Sequence, residues 1–189
     1  MIRLEVWLKQ KNKKIEELTN DDWLNISYQC ELSEDFIREF AKKVDWVCIS
    51  CYQKLSENFI REFANKVYWS SISQYQKLSE DFIREFANKV GWYYISAKQK
   101  LSENFIKEFD DKVNWTCISA CQELSEELIR EFSDKVDWYY ISYKFNTGKF
   151  NEDFILEFKD RIDFECIITC FYSEKLQKEV ESSWRHKRL

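Results

Sequence analysis

Apolar residues return along this chain at a fixed interval. Leu32, Leu55, Leu78, Leu101 and Leu124 lie 23 residues apart, and each opens a near copy of one line. The clearest copy is Leu78 to Lys100, LSEDFIREFANKVGWYYISAKQK. A sixth copy opens at Phe150, three residues late, after an insert around Asn146, Thr147 and Gly148. A short period of this kind predicts a stacked repeat array. Within the copy, Phe82, Ile83, Phe86 and Val90 fall at spacings of one, three and four, which places them on one helical face. Ser79 stands just ahead as an N-cap. Glu80 precedes Arg84, and Glu85 precedes Lys89, at the i,i+4 spacing that suits ion pairs on a helix. A second helix is expected after the position held by Asp22, Asp45, Asn114, Asp137 and Asp163, all of them N-cap residue types. It places Trp92 and Ile95 three apart on an inner face. The stretch from Gly91 to Ser96 also has strand propensity. A helix is the better reading, because Trp, Ile and the next Leu do not alternate at period two and turn residues are scarce.

The ends depart from the repeat. Residues 1–14, with Ile2, Leu4, Val6 and Leu8 ahead of a lysine-rich run, read as an N-terminal cap over the first apolar face. Residues 15–31 are a degraded copy, residues 32–172 hold six repeats, and 173–189 form a C-terminal cap and basic tail. The expected fold is therefore all-α: a right-handed α-solenoid of short two-helix repeats with terminal caps, one repeat domain over residues 1–189. Each repeat buries Leu, Phe, Ile, Val and Trp against its neighbours, at about 1.5–3 kcal/mol for each fully buried side chain.

The copies can be compared with one another. Ile at the sixth position (Ile37 to Ile155) and Phe at the ninth (Phe40 to Phe158) never change. The sixteenth position reads Val47, Ser70, Tyr93, Thr116, Tyr139, Glu165, and the twentieth reads Cys51, Gln74, Ala97, Ala120, Tyr143, Thr169. These two positions are four apart and share a face of the second helix. A constant scaffold with one variable stripe is the pattern of a recognition surface. The candidate partner-binding residues are Ser70, Gln74, Tyr93, Ala97, Thr116, Tyr139 and Tyr143. An unconstrained solvent-facing surface would give the same pattern.

Composition narrows the chemistry. With 44% hydrophobic and 17% aromatic residues, a disordered chain is excluded. The net charge is -5, with +4 in residues 1–14 and +3 in residues 184–189, which leaves -12 between them. Direct nucleic-acid binders usually show a basic body instead. Two glycines cannot make a P-loop or dinucleotide fingerprint. The single histidine, His186, lies in the basic tail, and the carboxylates recur beside Lys or Arg, so an enzyme is not expected. Seven cysteines without a signal-peptide pattern fit a reducing, cytoplasmic setting. Cys48 and Cys51 form a C-x-x-C, and Cys117 with Cys121, like Cys166 with Cys170, sit one helical turn apart. Zinc needs four converging ligands, and packed thiols are the simpler reading. No metal, cofactor or membrane contact is expected, and the chain should be monomeric.

The line LSEDFIREFANKV-x-WYYIS resembles short helical repeats of phages, giant viruses and AT-rich bacteria such as Fusobacteria and Leptotrichia. The likeness covers residues 22–172. In size, acidic body and repeat, the chain is also similar to phage-type anti-CRISPR proteins directed against type VI RNA-guided RNases. That resemblance implies a non-enzymatic viral inhibitor that binds a host nuclease in the host cytoplasm, and it assigns no residues. The alternatives are an acidic nucleic-acid mimic or a structural repeat protein with no tight partner.

Overall fold

A computed structural model describes residues 1–145, 150–163 and 173–186. Among them are fourteen α-helices and one two-residue strand pair. The architecture is an all-α solenoid of helix pairs, divided into two compact units, Met1–Ile95 and Ser96–Leu189.

In unit 1, residues Ile2–Arg3 (β1) pair in parallel with Cys30–Glu31 (β2), in the register Ile2 to Cys30. Helix α1 (Leu4–Lys11) buries Trp7 and ends at Asn12, whose left-handed φ of 51° lets its N–H reach back to Leu8 and Lys9. Asparagine tolerates that conformation better than most residues. The stretch read as a degraded copy begins with a 3-10 turn, Ile15–Glu17, in place of a first helix. Its second helix, α2, runs Asn20–Gln29. Asp22 is not its N-cap, as the register of the later copies implied. Thr19 is, and Asp22 closes a capping box from the third position, accepting from the Thr19 N–H at 2.9 Å. The helix begins one turn early here because Thr19 supplies the capping oxygen.

The next copies are regular. First helices α3 (Glu34–Glu39), α5 (Glu57–Glu62) and α7 (Glu80–Glu85) are capped by Ser33, Ser56 and Ser79, each accepting from the N–H three residues on. Second helices α4 (Trp46–Tyr52) and α6 (Trp69–Tyr75) follow, and α8 (Trp92–Lys98) runs across the boundary between the units. The first helices end sooner than the spacing implied, and Phe86 to Lys89 form a turn. Lys89 therefore lies beyond the helix, and Glu85 pairs with Arg61 of the preceding copy at 2.7 Å. The Glu80–Arg84 pair forms as expected, at 3.6 Å.

Unit 2 continues the scheme with α9 (Glu103–Glu108), α10 (Trp115–Cys121), α11 (Glu126–Glu131), α12 (Trp138–Lys144) and α13 (Glu152–Glu157). Its last helix, α14 (Glu174–His186), is thirteen residues long and buries Leu176 and Val180. Asp163, Glu165, Cys166, Thr169 and Cys170 were singled out above; the last four lie outside the described residues, and Asp163 marks their edge.

The core repeats with the sequence. Ile37, Ile49, Ile60, Ile72, Ile83 and their counterparts in unit 2 are fully buried. Trp23, Trp46 and Trp69 each pack on two rings of the following copy, Trp46 on Phe59 and Phe63 (6.3 and 4.8 Å), while Trp115 stacks on Phe132 and has Leu128 in place of the second ring. Its indole N–H reaches a carbonyl five residues back, Ala41 for Trp46 and Ala64 for Trp69, at 3.0 Å. In the degraded copy that arrangement is lost: the indole N–H of Trp23 is buried without a partner among the described residues.

Candidate partner-binding face

The second helices become a surface through two buried polar ties. The first is serine at the nineteenth position. Ser50 donates to the carbonyl of Trp46 (2.7 Å) and accepts from the backbone N–H of Tyr68 in the next copy (2.9 Å). Ser73 does the same with Trp69 and Gly91. In unit 2, Ser119 accepts from the N–H of Asp137, and Ser142 from that of Asp163. The second tie is glutamine at the twenty-second position. The Gln53 amide donates to the carbonyls of Ser27 and Cys30 (3.1 and 2.8 Å), and its oxygen accepts from the Leu32 N–H (3.0 Å). Gln76 repeats this on Ser50, Gln53 and Leu55, and Gln122 repeats it on Ser96, Gln99 and Leu101. One buried amide thus satisfies two carbonyls of the preceding copy and the opening N–H of its own, groups that would otherwise be costly to bury.

Held in this way, the second helices sit side by side, α2 on α4 and α4 on α6 in unit 1, and α10 on α12 in unit 2. Their outer residues carry almost no charge. Helices α4, α6 and α10 contain no Asp, Glu, Lys or Arg, whereas each six-residue first helix has three or four.

The sixteenth position points outward in every described copy. Val47 and Tyr93 in unit 1 are 49% and 60% exposed, and Ser70 is exposed with them. Thr116 and Tyr139 are exposed in unit 2. The twentieth position behaves differently. Cys51, Gln74, Ala97 and Ala120 are half-buried, and only Tyr143, at 65%, is fully outward. The reason is visible at Cys51, whose thiol lies 3.1 Å from the Ser71 hydroxyl of the next copy. At the twentieth position the predicted stripe is therefore partly packing, with Cys51, Gln74, Ala97 and Ala120 half-buried.

The structure adds aromatic residues that the stripe left out. Tyr28, Tyr52 and Tyr75 are each about half exposed, and the rings of Tyr28 and Tyr52 meet edge to face at 4.7 Å. Burial, followed by the neighbouring Tyr28 hydroxyl, raises the Tyr52 pKa. Tyr52 and Tyr75 fall at the twenty-first position, one residue beyond the stripe. The signal was their recurrence in adjacent copies. Together with Leu24 and Val47 they give unit 1 an uncharged, tyrosine-rich face.

Cys30, Cys48, Cys51, Cys117 and Cys121 are free thiols, and no cluster of three metal-ligating side chains exists among the described residues. Burial, with Asp45 beside it, pushes the Cys48 thiol up to about 11, which makes it a poor nucleophile. No described helix is long and apolar enough to cross a membrane. Comparison with family models, with curated proteins and with solved structures finds no match to this chain.

Proposed function

We propose that this chain is a non-enzymatic repeat protein that binds another protein through its second-helix face. What supports the reading is the segregation of charge. The first helices carry most of the ions, while α4, α6 and α10 carry none, and α8 and α12, which expose Tyr93 in unit 1 and Tyr139 and Tyr143 in unit 2, carry one lysine each. Tyrosine is enriched where proteins bind, because it offers a large contact area and a hydroxyl at little cost in side-chain entropy. Its place on paired, tied helices means that little ordering is required on binding. The resemblance to phage-type inhibitors extends the proposal to one class of partner, an RNA-guided host nuclease held by direct contact.

Mimicry of nucleic acid is the weaker reading. Asp35, Asp81 and Asp134 protrude into solvent, but they lie against Arg38, Arg84 and Arg161, which cancel much of their field. The test is capture of the partner by wild type and by Tyr93→Ala/Tyr139→Ala/Tyr143→Ala. Loss of capture with an unchanged helical spectrum supports the face. Unchanged capture that fades steeply with salt supports mimicry instead.

A further inference from the structure

The second helices of unit 1 lead into extended segments that turn one row of side chains outward. Gln53 and Gln76, the C-cap residues of α4 and α6, have ψ of 148° and 150°. In extended backbone, alternate residues share a side. Gln53, Leu55, Gln76 and Leu78 turn inward and are buried, while Tyr52, Lys54, Tyr75 and Lys77 are exposed. Each of these copies therefore sets a tyrosine and a lysine on one outer edge of the second-helix face. Tyr28 lengthens the row through its ring contact with Tyr52. Burial is the first cause of the raised Tyr52 pKa, and the Tyr28 and Tyr75 hydroxyls both add to it, so the three phenols are neighbours.

The fold does not use these two lysines. Other bases of unit 1 are engaged: Arg38 pairs with Glu62, Arg61 pairs with Glu85, and Lys66 lies over the Trp46 ring at 5.6 Å. Lys54 and Lys77 form no ion pair or hydrogen bond among the described residues. A cation just past a helix C-terminus is favoured by the helix dipole. Yet the same register holds Glu31 after α2 and Glu123 after α10, so the helix end does not fix the sign. In unit 2 the corresponding edge is concave. Lys98 and Lys100, at the twenty-first and twenty-third positions, line a hollow of about 560 Å³.

Charge complementarity points to an anionic partner, and the spacing points to an extended one. Packed helices lie about 8–10 Å apart, and three residues of extended or polyproline chain span about 9–10 Å. We propose that Lys54 and Lys77 hold two carboxylates, three residues apart, in an extended acidic segment of a partner protein, with Tyr28, Tyr52 and Tyr75 covering the residues between. This inference rests on the protein-binding reading of the face and names the chemistry of its partner. Single-stranded nucleic acid is the less favoured occupant. The rings of Tyr28 and Tyr52 meet at 82°, which leaves no run of parallel faces for stacked bases.

Fluorescence anisotropy of a labelled Glu-Pro-Pro-Glu peptide tests the proposal, with a Gln-Pro-Pro-Gln counterpart and a short oligouridylate measured beside it. Wild type should bind the acidic peptide. The neutral counterpart on wild type, and the acidic peptide on Lys54→Glu/Lys77→Glu, should each bind about tenfold or more weakly. Tyr52→Ala should weaken binding several-fold. Lys11→Glu/Lys42→Glu, which makes the same charge change elsewhere in unit 1, should bind as wild type does. The neutral peptide requires no variant, so that arm stands even where a variant fails to fold. No binding of the acidic peptide, equal binding of the neutral one, tighter binding of the oligouridylate, or an equal loss in the Lys11/Lys42 variant would overturn the proposal. If the acidic peptide fails while Tyr93→Ala/Tyr139→Ala/Tyr143→Ala still abolishes partner capture, the protein-binding reading survives and this inference does not.

Discussion

The two helices of each repeat are joined to their neighbours by different physics. First helices meet through ion pairs at the surface, such as Arg61 with Glu85, both partly exposed. Second helices meet through buried serines and glutamines, with Trp stacked on the Phe rings of the next copy. Exposed ion pairs are worth about 0–1 kcal/mol each, whereas a buried tie that satisfies several backbone groups costs much more to remove. The charged ladder therefore sets spacing and partner sign, while the uncharged one carries the stability. The variable, exposed residues sit on the outer side of the helices that are most firmly held.

This contrast orders the expected effects. Replacing Gln76 by leucine leaves the carbonyls of Ser50 and Gln53 and the N–H of Leu55 buried without their partner. A loss of about 3–5 kcal/mol is expected, read from denaturant unfolding. Next is Ser73→Ala, which removes the bridge between Trp69 and Gly91 and should cost about 1–2 kcal/mol in the same measurement. Arg61→Met should cost at most about 1 kcal/mol, and a cost as large as that of Gln76→Leu would collapse the distinction between the ladders. Tyr93→Ala should leave stability within about 0.5 kcal/mol and show itself only in partner affinity.

Acid sharpens the comparison at the capped end. The Lys13 ammonium, then the Thr19 N–H and hydroxyl, hold Asp22 down at about 2. Its folded pKa lies below the ordinary carboxylate value of about 3.9, so its contribution is complete above that value and is lost as pH falls from about 4 through 2. An Asp22→Asn variant should be less stable at neutral pH, and its stability should fall less across that window. Unfolding curves at stepped pH give the reading.

Much of this was legible in the sequence. The 23-residue spacing gave the helix pairs, and Ser33 through Ser125 gave the caps, because both are local and periodic. The ends of the first helices were less legible, since Phe86 to Lys89 keep a helical spacing while the backbone turns. Asp22 misled because one upstream threonine moved the start of its helix. The glutamine and serine positions recur in the sequence, from Gln53 to Gln122 and from Ser50 to Ser142, yet a repeat count cannot say which carbonyl a buried amide meets. For the site, the sixteenth position was read correctly as outward. The twentieth was not, because its exposure depends on the residue facing it in the next copy.

The glutamine tie also has a direction. Each amide closes on groups that precede it in the chain, never on groups that follow. A polypeptide emerging from the ribosome therefore has every acceptor already in place when the side chain that needs it arrives. In this tie no module waits for one not yet made, whereas the serine bridge and the Trp contact, which reach forward to Tyr68 and to Phe59 and Phe63, close only when the next copy has emerged.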